Sequence, residues 1–262
     1  MKVSDILSCV EQSAPNYMKM DWDNVGLLCG DADQQVTKIL VALDPFEEVC
    51  REAQQIGAQL ILTHHPLIFR PCKSVTQADP VGRAIRFLVK HDISAINAHT
   101  NLDCAPGGVN DVLAQRLGLS QVSVIDPQGT DSQGRLWGLL RMGSVPEQSL
   151  ELFLDTVKTR LSCPGLRYVS AGRPVKRVAV GGGACGSELM DAVRAGCDTF
   201  VTSDLKYNQF WDAQDWGINL IDAGHFYTEN PVCTMLKDLM QENFPEITTV
   251  ISEKHGDCMK FF

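Results

Sequence analysis

The sequence predicts an α/β fold, with two related βαβ-type lobes whose largely parallel sheets face a central metal-containing cleft. Three observations predict it. Short aliphatic runs alternate with helical stretches, the order of runs repeats once along the chain, and histidines fall directly after the runs rather than inside them.

In chain order, the first helix is expected from Ser4 to about Ser13, capped by Ser4, with Ile6, Leu7 and Val10 inward and Pro15 ending it. The loop Asp21-Trp22-Asp23-Asn24-Val25-Gly26 follows. Strands are expected at Ile39–Leu43, Leu60–Leu62, Ile93–Asn97, Val178–Val180, Thr199–Val201 and Ile218–Ile221, each short, apolar and flanked by helical stretches. Between these sets Gly134–Gly143 has the pattern of a strand, and Glu147–Leu161, after Pro146, that of a helix.

The duplication is legible in the spacing. Lys38-Ile39-Leu40-Val41-Ala42-Leu43-Asp44 opens a unit in which a helix reaches Gly57, a strand follows, and Thr63-His64-His65 ends it. Lys176-Arg177-Val178-Ala179-Val180 opens a second, with Gly196 and then Thr202-Ser203-Asp204 in the corresponding places. Each unit runs on through another helix and strand, to His99 in the first and His225 in the second. One compact body over 1–262 is expected, with lobe one at about 1–125 and lobe two at about 126–262.

Composition narrows the function. Of 262 residues, 44% are hydrophobic and 21% charged, which suits a globular core. A net charge of −9 without a basic cluster disfavours a nucleic-acid polymer as partner. No apolar run approaches the roughly 20 residues of a membrane span, so no membrane partner is expected. The N-terminus lacks the apolar core of a signal peptide, and no two of the ten cysteines stand in C-x-x-C spacing. Cys50, Cys197 and Cys233 sit in apolar runs, as reduced cysteines do, and a cytoplasmic location is expected.

The candidate chemistry follows the strands: Thr63-His64-His65-Pro66, Ala98-His99-Thr100-Asn101-Leu102-Asp103 and Gly224-His225-Phe226-Tyr227-Thr228-Glu229. Open α/β sheets place their ligands outside the carboxyl ends of the strands. Imidazole and carboxylate without thiolate suit Zn, Mn, Fe, Co or Ni. His64, His65, Asp103, His225 and Glu229 are too many donors for one tetrahedral ion with an open position, and suit two divalent ions sharing a carboxylate. Thr228 would cap a helix starting at Glu229, with Pro231 in its first turn. The plainer reading of His64-His65 is a hydrogen-bonded core or cap pair. His99 has three readings: a group that orients Asp103, a catalytic proton carrier, or an ordinary loop histidine.

Other features admit two readings each. Gly181-Gly182-Gly183-Ala184-Cys185-Gly186 matches G-x-G-x-x-G, so it is either a dinucleotide or anion site or a turn that lets backbone approach the cleft. Lys206 and Tyr207, after a strand end, either meet a phosphorylated small-molecule substrate or are solvated polarity. His91 and His255 are expected at the surface. Trp22, Trp211 and Trp216 are expected to pack rather than to hold a base.

Six blocks carry a family resemblance: Asp-Asn-Val-Gly-Leu (23–27), Thr-His-His-Pro-Leu-Ile-Phe (63–69), His-Thr-Asn-Leu-Asp (99–103), Gly-Gly-Val-Asn-Asp (107–111), Thr-Ser-Asp-Leu-Lys-Tyr (202–207) and Gly-His-Phe-Tyr-Thr-Glu (224–229). In order and spacing the chain resembles the GTP cyclohydrolase 1 type 2 homologue family, the Ngg-interacting-factor-like proteins, in the compact form without an inserted domain. The resemblance implies a two-lobed α/β fold, a dinuclear metal site at His64, His65, Asp103, His225 and Glu229, and a toroidal homohexamer. It points to metal-dependent hydrolysis of a nucleotide or related heterocycle; a non-catalytic metal-handling or regulatory ring protein is the alternative. The tail Ser252–Phe262 departs from the proline-containing ending of the family.

Overall fold

The structure, a computed structural model, describes residues 1–261. The chain divides into two compact units, Met1–Leu102 with Val232–Asp257, and Asp103–Pro231 with the end of the tail. This division differs from the expected one near residue 125: the second unit begins earlier, and the chain's last long helix and strand return to the first.

In the first unit, α1 (Val3–Ser13) buries Val3, Ile6, Cys9 and Val10, the i, i+3, i+4 rhythm of a helix with one apolar face. It starts before Ser4, because the Lys2 backbone N–H is taken by the Asp5 carboxylate at 2.7 Å. Ser4 instead offers its carbonyl to the Ser8 hydroxyl. Strand β1 (Gly26–Cys29) leads to the repeat β2 (Lys38–Ala42), α2 (Glu47–Ile56), β3 (Leu60–Thr63), α3 (Pro80–Lys90) and β4 (Ser94–Asn97). Gly57 ends α2 in the left-handed conformation, and Asp79 caps α3 by accepting the Gly82 N–H at 2.8 Å.

Helix α4 (Thr100–Cys104) carries the chain into the second unit. There follow α5 (Val109–Leu117), β5 (Ser120–Ile125), the short hairpin β6 (Gly129–Thr130) and β7 (Leu136–Trp137), β8 (Leu140–Gln148), α6 (Leu150–Leu161) and β9 (Arg167–Val169). The second repeat is β10 (Val175–Val180), α7 (Leu189–Arg194), β11 (Thr199–Thr202), α8 (Tyr207–Asp215) and β12 (Asn219–Asp222), and α9 (His225–Glu229) closes the unit. Back in the first unit, α10 (Val232–Asn243) precedes β13 (Thr248–Ile251).

Each unit holds one large sheet, ordered β1-β4-β3-β2-β13 in the first and β5-β8-β10-β11-β12-β9 in the second, where the β6–β7 hairpin forms a separate two-stranded sheet. Both have parallel centres, β2-β3-β4 and β10-β11-β12, and in both the third strand of the repeat pairs antiparallel with an edge strand, β1 or β9. The expected duplication is therefore present as repeated topology. Leu40, Ile61 and Leu88 are fully buried in the first unit's core, as are Phe153, Val178 and Ile221 in the second's. Strands β3, β4, β11 and β12 are buried along their whole length, as strands covered on both faces are.

The middle section departs from expectation. The strand placed at Gly134–Gly143 is broken between β7 and β8, and β8 runs on through Pro146 to Gln148, which shortens the helix to Leu150–Leu161. Pro146 is tolerated because the β8–β10 register breaks between Ser144 and Gln148, leaving a bulge where no N–H is required. Ser149 then caps α6 through the Leu152 N–H.

Candidate metal centre

In the first unit, β3 delivers His64 and His65. The Thr63 hydroxyl donates to the His65 carbonyl at 2.7 Å, and the His65 N–H donates to the Leu43 carbonyl at 2.9 Å, which fixes the turn. The ring nitrogens are just as constrained. His64 Nδ1 lies 2.8 Å from the Ala98 carbonyl, His65 Nδ1 2.6 Å from Asp44 Oδ1, and His99 Nδ1 2.8 Å from Asp23 Oδ1. A carbonyl can only accept, so His64 Nδ1 carries a proton; the two carboxylates likewise place a proton on Nδ1 of His65 and His99. Nε2 is then the atom each ring presents as a ligand, with an outer acceptor orienting it, the arrangement of a metal-binding histidine. The three rings offer nitrogens within 4.8 Å of one another, with centroids 5.0 to 5.7 Å apart.

His99 thus sits with the tandem histidines rather than in an ordinary loop. Its partner Asp23 is buried and also accepts from the Thr100 backbone N–H at 3.0 Å and from the Thr100 hydroxyl. Burial alone would raise the Asp23 carboxyl; the hydrogen bonds from His99 and Thr100 prevail and hold it well below the usual carboxylate range.

In the second unit, α9 is a single turn in which His225 and Glu229, four residues apart, share a face. His225 Nδ1 lies 2.7 Å from Asp204 Oδ2 and Nε2 lies 2.9 Å from Glu229 Oε2. Burial would push the imidazolium down, yet the Asp204 and Glu229 carboxylates raise it to about 11. An imidazolium held between two carboxylates, one at each ring nitrogen, marks a place suited to positive charge. Asp103, buried on α4, offers an oxygen within 4.8 Å of one on Glu229. Asn110 ties this region together, donating to the Asp103 carbonyl at 3.2 Å and accepting the Gly182 N–H at 2.6 Å.

The glycine run serves Glu229, not a phosphate. At Gly183 (φ +64°) an added Cβ would stand 2.1 Å from Glu229 Oε1, and at Gly182 3.2 Å from Glu229 Cγ. The N–H groups that a dinucleotide or anion site would need are already taken: Gly181 by the Val201 carbonyl, Gly182 by Asn110 and Gly183 by the Thr228 hydroxyl at 3.0 Å. The dinucleotide reading is therefore set aside.

Three more expectations change. Thr228 does not cap a helix beginning at Glu229; Glu229 ends α9, and Thr228 holds the Gly183 N–H instead. His255 is half-buried and accepts the Leu43 N–H at 2.9 Å, because the tail folds back on the end of β2, where Glu52 accepts from Ser252 and from the Glu253 N–H. Trp22, Trp211 and Trp216 do not pack inside; Trp22 is 62% exposed. Lys206 and Tyr207 are exposed at the start of α8, with Tyr207 at 79%. What residue patterns missed are the orienting carboxylates Asp44 and Asp23. Asp44 stands just after a strand end, as the histidines do, and that signal was there to use.

Two clusters of imidazole and carboxylate at the strand ends of duplicated sheets, with outer acceptors setting the tautomers, define an α/β protein able to hold metal ions. The chain belongs to the Duf34/NIF3 (NGG1p interacting factor 3) family, whose model matches residues 1–257. It is 35% identical over 263 residues, all of both chains, to a Clostridium perfringens protein named GTP cyclohydrolase 1 type 2 homolog. It is similar to the crystal structure of a Staphylococcus aureus hypothetical protein, with TM-score 0.92 and 33% identity, covering 100% of this chain and 99% of that one. The crystal structure of a Bacillus cereus protein related to NIF3 superimposes with TM-score 0.94 at 26% identity, with the same coverage. Among the described residues no helix is long and apolar enough to cross a membrane.

Proposed function

We propose that the chain is a metal-dependent hydrolase acting on a nucleotide or a related phosphorylated heterocycle, with two divalent ions held by His64, His65, Asp103, His225 and Glu229. The observation that carries this reading is the uniform second layer. His64, His65 and His225 each have Nδ1 against a carbonyl or carboxylate, which turns Nε2 into the ligand atom, and no thiolate enters the set. The mixed imidazole and carboxylate donors fit Zn, Mn, Fe, Co or Ni.

When bound, a pair of divalent ions would supply a water acidic enough to ionise near neutrality and a Lewis acid for the substrate. The residues supply the rest. Glu229, whose side chain packs against Gly182 and Gly183, would be one of the carboxylate ligands. His99, held in one tautomer by Asp23, presents Nε2 as the atom that takes or returns a proton. The name of the C. perfringens relative favours a purine nucleotide as substrate.

The test is turnover. Purified protein loaded with Mn, Zn or Fe and given a panel of nucleotides is expected to release product, with the rate abolished in Asp103→Ala. Metal that binds and exchanges while every nucleotide stays intact would overturn the hydrolase reading.

A further inference from the structure

We infer that Trp22 and Phe69 form a binding corner for the planar aromatic ring of a ligand whose anionic group lies toward Arg70 and Lys73. This rests on the metal-site reading above and names what would lie beside it. Trp22 is 62% exposed and Phe69 46%, yet their rings meet at 5.8 Å with an interplanar angle of 74°. His99 completes the corner, 6.2 Å from Trp22 at 71° and 6.1 Å from Phe69 at 84°. Three rings near right angles to one another make a floor and two walls. A flat ring stacked on any one of them turns its edge to the other two, both favourable aromatic contacts.

The corner is rigid. Trp22 precedes Asp23, which is fixed by His99 and Thr100, and Asn24 Nδ2 donates to the Ile68 carbonyl at 2.6 Å, linking the two loops. Lys19 Nζ donates to the Asp23 carbonyl at 3.2 Å, and the Asp23 N–H to the Met20 carbonyl at 3.0 Å. Adjacent exposed aromatics on hydrogen-bonded loops form an apolar surface patch, the kind that marks an interaction site. Phe69 is also a wall of a groove of about 460 Å³ that Arg70 and Lys73 line. The groove sets two cations, Arg70 and Lys73, against one carboxylate, Asp79, so its net charge is positive and favours an anion.

Calorimetric titration of the metal-loaded full chain with GMP, guanosine and ribose 5-phosphate separates ring from anion. GMP is expected to bind more tightly than ribose 5-phosphate. Trp22→Ala should weaken GMP about 10- to 100-fold, the range for loss of one aromatic stacking partner, with ribose 5-phosphate unchanged and Trp22→Phe restoring most of the loss. Arg70→Ala with Lys73→Ala should weaken GMP but not guanosine. Equal affinity of Trp22→Ala and wild type for GMP would overturn the inference, as would wild-type GMP binding no tighter than ribose 5-phosphate. So would a change of assembly mass in Trp22→Ala, which would make the corner a protein contact. Metal content of the same samples separates the two readings: wild type without metal sinks the metal site, whereas metal retained with no effect at Trp22 sinks only the aromatic corner.

Discussion

Replacing Gly183 by alanine should remove metal from the protein at little cost to its fold. The backbone there has φ +64°, so any L side chain is strained by about 1–2 kcal/mol. The new Cβ would also stand 2.1 Å from Glu229 Oε1 and 3.3 Å from His225 Cε1. Glu229 is the end of a flexible chain and yields, but by roughly 1 Å, about twice the tolerance of a preorganised site. Gly57→Ala is the control, since Gly57 has φ +70° and nothing within 4 Å of its Cβ position. Both variants should lose a similar 1–2 kcal/mol in denaturant titrations, roughly the left-handed cost alone. Only Gly183→Ala should lose metal affinity, by about 10- to 100-fold or more, the effect of disturbing a ligand's support. Elemental analysis after dialysis reads the difference. A Gly183→Ala protein holding as much metal as wild type, or a Gly57→Ala protein losing it equally, would refute the reasoning.

Two further outcomes follow from the same geometry. His225 is raised to about 11 from an ordinary 6.5, so its stabilisation of the metal-free protein is fully present below about pH 6.5 and lost as pH rises through about 11. Thermal melts of chelated protein should show that loss in wild type and not in His225→Gln; parallel pH profiles would exclude the clamped imidazolium. Asp44→Asn replaces an acceptor that fixes His65 by an amide that can also donate, and metal affinity should fall about 10- to 100-fold with the fold intact; titration with a competing chelator checks it, and an unchanged affinity would remove Asp44 from the site.

Much of the fold was legible because buried parallel strands are short, apolar and bounded by turn residues. The strands from Lys38–Ala42 to Asn219–Asp222 fall where their aliphatic runs stand. The section around Pro146 was not, since a proline normally argues against a strand, and the bulge that accommodates it depends on the partner strand. The return of the chain's end to the first unit was not legible either: β13 joins β2 across some two hundred positions of sequence, a pairing that local pattern cannot carry. At the site, the histidines and their order were readable, because residues after strand ends are displayed at one edge of a sheet. Of their orienting acceptors only Asp44, which stands just after β2, shares that signal. Asp23, Asp44 and the Ala98 carbonyl meet their rings only through tertiary contact. The glycine run shows the opposite failure: a local pattern matched a phosphate loop, while close packing accounts for the glycines, Gly182 and Gly183 against Glu229, Gly181 against Cys185 and Leu140, and Gly186 against Gln209.

Anomalous X-ray diffraction from crystals of the metal-loaded chain, recorded on either side of the absorption edge, is the most direct trial. Two peaks per chain should appear, with His64, His65, Asp103, His225 and Glu229 at bonding distances of about 2.0–2.2 Å. Density free of any such peak, or ions held by other residues, would contradict the dinuclear centre.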